Sequence, residues 1–410
     1  MADIRSYTRE KQKRERSKQS NMRLVKAESE ESFHDKLRRH RLSYFYKIAL
    51  CVLVCVAVIV ILVIQYKNKI YTDYMEVNSI PIDISTRATE LRLGQSVLTY
   101  SKDGARCINE KGEVVWDQTY EMQNPMVAIC GNVAAIGDYN GRTIYVQSNE
   151  KQLGVISTNL PLRDLSVAAN GVVAAVLEET DVTWIYVYDS TGKELLKFHT
   201  TMKNTGYPVS VSLSKDALLC AVSYLYVDAG SLKSTVAFYN FDEYGKNQID
   251  NLVGIHNYPD TIVPYVQFMT NNVVFAMADD GIMFFGGSQK PEFISAHYYD
   301  KEIKSVHYNE NYVGVVLYNE LGGSRYCLEI YNRSGEHVAS KEFDRDYADI
   351  VFDKDTFLIY SETECMICTM GGLEKYAGDF KESVRLLIPT KSDYRYKLVT
   401  QDSLDTIQMN

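Results

Sequence analysis

The stretch Ile48–Ile64, IALCVLVCVAVIVILVI, runs seventeen residues without a charge, Gly, Pro, Asn or Gln. As an α-helix it extends roughly 25 Å, close to the hydrocarbon thickness of a bilayer. Tyr44, Phe45 and Tyr46 precede it and Tyr66 follows, at the depth where interfacial rings belong. The β-branched run Val56–Val63 would make a modest helix in water. In lipid the backbone has only its own carbonyls to bond, so the helix is favoured regardless. A cleavable signal peptide is a poor fit: the apolar stretch starts far from Met1, is too long, and is followed by Gln65-Tyr66-Lys67 rather than a small-x-small site. The expectation is one uncleaved transmembrane helix over 48–66, with 67–74 as linker.

Charge sets the orientation. Residues 1–47 carry fourteen Lys/Arg against seven Asp/Glu; the totals are 44 and 53, so the remainder holds 30 basic and 46 acidic residues. Basic residues beside a span hold that end in the cytoplasm, so 1–47 is expected to be a basic cytoplasmic tail, partly disordered, and 75–410 an extracytoplasmic domain of a single-pass cell-membrane protein. A net −16 beyond Lys47 argues against nucleic acid or an anionic membrane surface as the large domain's main partner. KQKRERSK (11–18) reads first as a solvated anchor and second as a contact for anionic headgroups. Disorder is expected before residue 22. Met22, Val25, Phe33 and Leu37 fall near helical spacing, which suggests a short cytoplasmic helix leading into the span.

After the linker the pattern changes to strand-like segments of four to eight residues broken by turn signals. The clearest unit is 164–201: DLSVAAN, a turn at Asn170-Gly171, VVAAVLEE, TWIYVYD, a turn at Ser190-Thr191-Gly192, then KELLKFHT. In TWIYVYD the rings of Trp184, Tyr186 and Tyr188 alternate with Ile185 and Val187, the period of a strand. The same four-strand order returns over 89–121, 126–158, 208–255, 263–296, 303–343 and 347–380, and a last piece supplies SVRLLIP, YRYKLVT and LDTIQM. Four-stranded units repeating at about 40 residues predict an all-β fold, a β-propeller. The incomplete last unit needs a fourth strand, and Met75–Ser85 (MEVNSIPIDIS) is spare to supply it and close the ring. The count gives eight blades, or seven should the loop-rich 208–255 not be one.

Several units share a turn: CINEKGEVVWDQ (107–118), YDSTGKELLKF (188–198) and YNRSGEHVASKEF (331–343). This strand–Asx turn–Gly–strand form resembles the repeats of quinoprotein-like (PQQ-like, WD40-like) propellers. The layout over roughly 20–410 also resembles an uncharacterised family of Gram-positive bacterial single-pass membrane proteins with an external propeller, known as a domain of unknown function. That resemblance implies fold and topology only. Trp116-Asp117 is no WD-repeat signature, since it occurs once and lacks the companion Gly-His.

Quinoprotein dehydrogenases use a calcium held by carboxylates, a catalytic Asp and often a vicinal Cys pair; the chain has no Cys-Cys, and turns such as Asp279-Asp280 read as strand ends. EF-hand, P-loop and GxSxG patterns are absent from the sequence. Cys51 and Cys55 lie in the span, and Cys107, Cys130, Cys220, Cys327, Cys365 and Cys368 mostly in apolar strands, as small hydrophobes. Cys365-Met-Ile-Cys368 has CxxC spacing, but within a strand i and i+3 point to opposite faces, so a structural role is expected over redox or metal chemistry. His34, His40, His199, His256, His297, His307 and His337 form no zinc spacing. His297-Tyr298-Tyr299 and His307-Tyr308 are either β-strand residues or a ligand surface. No catalytic, cofactor-binding or metal residue is assigned and no cofactor is expected. The expected function is a non-enzymatic, membrane-tethered scaffold that binds a protein or cell-envelope polymer outside the cell. A receptor relaying external binding through the tail is the alternative, and a quinoprotein-like enzyme the third reading.

Overall fold

The computed structural model of the protein describes residues 4–20, 33–180, 182–201, 206–319 and 323–410. The chain divides into two units, Met1–Lys69 and Ile70–Asn410. Among its described residues the first holds two helices, α1 (Ile4–Ser20) and α2 (Phe33–Lys67). Helix α1 stands where the sequence reading expects disorder. Its seventeen residues include no Gly or Pro and are dominated by Arg, Lys, Glu and Gln, which lose little rotamer freedom in a helix. Within α2, His40–Gln65 is long and apolar enough to cross a membrane, and its apolar side chains, Leu50, Leu53 and Leu62 among them, are exposed. Phe33 and Leu37 belong to this same helix; Met22 and Val25 lie outside the described residues.

The second unit is an eight-bladed propeller. Seven antiparallel four-stranded sheets follow the chain over 89–119, 125–157, 162–201, 207–258, 265–298, 303–343 and 349–379, here blades 1 to 7. Blade 8 takes Leu386–Pro389, Arg395–Val399 and Ser403–Met409 from the end of this unit and Tyr74–Pro81 from its start. The segment 207–258 is a true blade. Its second and third strands, Leu219–Asp228 and Ser231–Asn240, are ten residues each and form the long hairpin that made the repeat look irregular.

Each blade buries both faces, which is why runs such as VVAAVL lack polar alternation. Eight separate apolar clusters result, one between each pair of neighbouring blades. Between blades 3 and 4, for example, Ala174, Val176 and Ile185 pack on Val211, Val222 and Tyr224. Cys365 and Cys368 illustrate the strand geometry: the first is buried between blades 7 and 8, the second between blades 6 and 7.

The shared turn has one physical basis. In Asn109–Glu113, Asp189–Lys193 and Asn332–Glu336 the first side chain accepts the N–H groups two and four residues on, at 2.9–3.0 Å. The fourth residue, Gly112, Gly192 or Gly335, sits at φ 77, 90 or 70, where a Cβ would be strained.

The closing strand runs antiparallel to Ser403–Met409 from Tyr74↔Met409 to Pro81↔Ser403. The residues ahead of it are also part of the fold, so the linker is shorter than 67–74. Tyr71 and Tyr74 are buried in the cluster between blades 7 and 8. The Tyr71 N–H donates to the Lys375 carbonyl at 2.7 Å, and the Lys381 N–H donates to the Tyr74 hydroxyl at 2.8 Å. The ammonium of Lys375, with no exposure to solvent, lies 5.8 Å from the Tyr71 ring centre and 5.5 Å from that of Tyr394. Burying a tyrosine here makes the join between the start and the end of the propeller a packing site. Tyr74→Ala should destabilise the propeller by about 3 kcal/mol in denaturant titration, as large aromatic truncations in cores do; an unchanged midpoint would mean that closure does not depend on this anchor.

Candidate functional site

The first strand of each blade lines the middle of the ring, so its free edge faces a channel rather than another strand. Unpaired edge N–H groups need partners. In part of the ring, side chains of one inner strand serve the next. Asp164 and Ser166 of blade 3 accept the N–H groups of Val211 and Leu213 in blade 4, at 3.0 and 2.9 Å. Ser210 and Ser212 of blade 4 accept those of Val266 and Phe268 in blade 5, at 3.2 and 2.9 Å. Asn309 of blade 6 donates to the Phe352 carbonyl of blade 7 at 3.1 Å.

The channel has a volume of about 770 Å³ and is lined by residues from the inner strands, and the turns that end them, of all eight blades. Its charged lining comprises Arg92, Lys215, Lys354 and Lys391 with Asp164, Glu310 and Asp353. Lys215 of blade 4 pairs with Glu310 of blade 6, two blades away. Lys354 pairs with Asp393 and also donates to the Lys391 carbonyl at 3.0 Å. The Arg92 Nε donates to the Gly94 carbonyl at 2.8 Å. Burial within the ring lowers the Arg92 pKa, an effect that the Asp353 charge partly opposes. Burial likewise raises Asp353, against Lys354 and Arg92. Asp164 is pushed up to about 6 by burial, with the Leu165 and Val211 N–H groups pulling the other way. Tyr265 and Tyr308 place their hydroxyls 3.5 Å apart in the lining, and Tyr265 donates to Gln267 Oε1 at 3.0 Å.

Of the two His-Tyr stretches singled out in the sequence, only Tyr308 reaches the channel. His297 packs on Tyr331 with ring centres 4.3 Å apart and the rings tilted, and its Nε2 lies 2.6 Å from the Gly335 carbonyl, joining blades 5 and 6. Tyr299 donates to Tyr331 at 3.0 Å, and Tyr298 is exposed. His307 joins blades 6 and 7. Its Nδ1 is 2.7 Å from Asp349 Oδ1 and its Nε2 is 2.9 Å from Ser305 Oγ, which is in turn 2.8 Å from the Tyr347 hydroxyl. The atom order is that of a Ser–His–Asp triad. However, the Ser305 oxygen is already held by Tyr347, and Asp349 Oδ1 also accepts the Ile350 N–H at 2.8 Å. We read the group as an inter-blade polar lock.

Among the described residues no group of three or more His, Cys, Asp or Glu is placed to hold a metal ion. Cys365 and Cys368 are free and buried; burial raises both thiols, Cys368 to about 11. The channel residues escaped the sequence reading. Arg92, Asp164, Tyr265 and Lys391 lie in four different repeats and form no local motif, and only the position at or just beyond an inner strand relates them.

A sequence family described as a family of unknown function, DUF5711, matches residues 67–409. No curated protein matches the chain. Among solved structures, AztD from Citrobacter koseri is similar at 9% identity and TM-score 0.50, over 72% of this chain and 87% of that one. A eukaryotic initiation factor is similar at 11% identity and TM-score 0.50, over 83% and 88%. BamB from Moraxella catarrhalis gives 12% identity and TM-score 0.48, over 82% and 100%. At such identities the first two likenesses concern the propeller fold alone.

Two outcomes follow from the buried acids and thiols. An aspartate raised to about 6 keeps its proton in the folded state between about pH 4 and 6, where the unfolded chain has lost it, so folding stability falls as pH rises through that window. Asp164→Asn should therefore gain stability relative to the parent from about pH 4 to 6 and hold a constant gain above, measured by urea unfolding; a difference that does not change with pH would refute the shift. In the folded protein Cys365 and Cys368 should resist iodoacetamide at pH 8 and react once denatured, as read by peptide mass spectrometry; rapid native labelling of either would contradict their burial.

Proposed function

This chain belongs to the DUF5711 family of unknown function, and we propose that it is a membrane-tethered, non-enzymatic propeller whose broad faces bind a protein or envelope polymer outside the cell. The observation that carries this reading is the direct succession of an apolar helix able to span a bilayer and the strand that closes a rigid ring. Tyr71 and Tyr74, just past the end of α2 in sequence, already belong to the propeller core. The tail's basic excess argues that α2 enters from the cytoplasmic side. A disc held by eight separate inter-blade cores is a rigid platform for loops, which is what a scaffold requires.

A second reading has an observation of its own. Helix α1 gives the basic tail an ordered element, and a receptor relaying occupancy inward would use one. Affinity capture from native membranes separates the readings. The full-length protein should retain a partner that a variant lacking residues 75–410 loses, and a variant lacking residues 1–32 should retain it. A partner that survives loss of the propeller would overturn the scaffold reading. Loss of external signalling, with capture intact, in the variant lacking residues 1–32 would favour the receptor.

A further inference from the structure

We propose that the central channel binds a small molecule through an oxyanion group, carboxylate or phosphate, held between Arg92 and Lys391. This inference does not rest on the scaffold reading.

It starts from a reversal of charge. Beyond Lys47 the chain holds 30 basic and 46 acidic residues, yet the channel lining has four cations and three acids. Low-dielectric walls focus the field of such a lining, so the cations act on anything that enters the channel. The acids are also more engaged than the cations. Glu310 is paired with Lys215. Asp164 accepts the N–H groups of Leu165 and Val211 at 2.8 and 3.0 Å. Asp353 faces the positive charges of Lys354 and Arg92. Lys354 is paired with Asp393. Among the described residues Arg92 and Lys391 form no ion pair.

Their placement gives the site a shape. Arg92 lies in the inner strand of blade 1, Thr89–Leu93, and Lys391 just past the inner strand of blade 8, Leu386–Pro389. Blades 8 and 1 are neighbours that share the cluster of Ile84, Val97 and Leu386, so both cations stand on one sector of the channel wall and at the same end of their strands. The bond from Arg92 Nε to the Gly94 carbonyl fixes the plane of the guanidinium and leaves its terminal N–H groups for a ligand. A planar fork matches the two oxygens of a carboxylate or phosphate, and an ammonium beside it adds a second point of charge. A volume of about 770 Å³ is that of a small-molecule site. Asp353, in the same lining, competes with the anion for the Arg92 charge.

The test is calorimetric titration of the full-length protein in detergent at low salt with inorganic phosphate and, separately, with citrate. The inference expects saturable binding of at least one, weakened at least tenfold by Arg92→Gln and by Lys391→Gln and unchanged by Lys111→Gln, which lies in the exposed 109–113 turn. Phosphate alone binding would identify a phosphate-bearing ligand, and citrate alone a carboxylate. If Arg92→Gln does not fold, as judged by circular dichroism, Lys391→Gln decides. Absence of saturation with both anions, or wild-type affinity in a folded channel variant, overturns the proposal. Partner capture by the same variants, measured in parallel, is expected to persist, so failure of either idea leaves the other standing.

Discussion

The pairing of Tyr74–Pro81 with Ser403–Met409 is the contact on which the remaining architecture depends. An eight-bladed ring is held by nearest-neighbour packing, and an unmatched blade would be a point of entry for unfolding. Joining one strand from the start of the propeller to three from its end turns the last blade into a lock. The ladder is reinforced by Ile84, which packs between blades 8 and 1, and by Tyr71 and Tyr74, which pack between blades 7 and 8. Closing so long a loop costs little more entropy than closing a shorter one, because the cost grows only with the logarithm of length. The fully buried Lys375 beneath Tyr71 and Tyr394 shows how closely the start of the propeller is built into its final blades.

Closure also decides where polar chemistry can reside. Blade faces are committed to apolar packing, so polar side chains collect at inner strands, at turns and at the seams between blades. The inner strands answer their own edge problem by lending Asp164, Ser166, Ser210 and Ser212 to the N–H groups of the next blade. His307, Ser305, Tyr347 and Asp349 perform a similar service between blades 6 and 7. A half-buried carboxylate such as Asp164 is tolerated because two backbone donors meet it, though partial burial still lifts its pKa. The channel wall therefore combines bonds that hold the ring together with charges, Arg92 and Lys391, that the ring itself does not consume.

Much of the fold was legible because its determinants are local and periodic. The uncharged stretch at Ile48–Ile64, the two-residue alternation of TWIYVYD, the Asx–Gly turns and the repeat near 40 residues each act through bonds within a few positions, so composition and spacing reveal them. Even the closing strand could be inferred, since three strands at the C-terminus demanded a fourth. The opposite orientation of Cys365 and Cys368 follows from strand pleating alone. Helix α1 was missed because charge suggested solvation, whereas side-chain propensity and the absence of Gly and Pro favour a helix.

Tertiary structure alone decided the channel. Arg92, Asp164, Lys215, Tyr265, Glu310 and Lys391 come from six blades and meet only after the ring closes. No short-range pattern marks them, because the distance between them is set by ring curvature rather than by sequence spacing. The same holds for the ion pair of Lys215 with Glu310, for the Lys375 cage, and for the choice of eight blades over seven, which the long hairpin of 207–258 left open until its strands were seen to pair. Sequence determined the unit, the turn and the order of strands, since these rest on local hydrogen bonding and hydrophobic period. Assembly determined the site, since only packing brings residues of distant repeats to one wall.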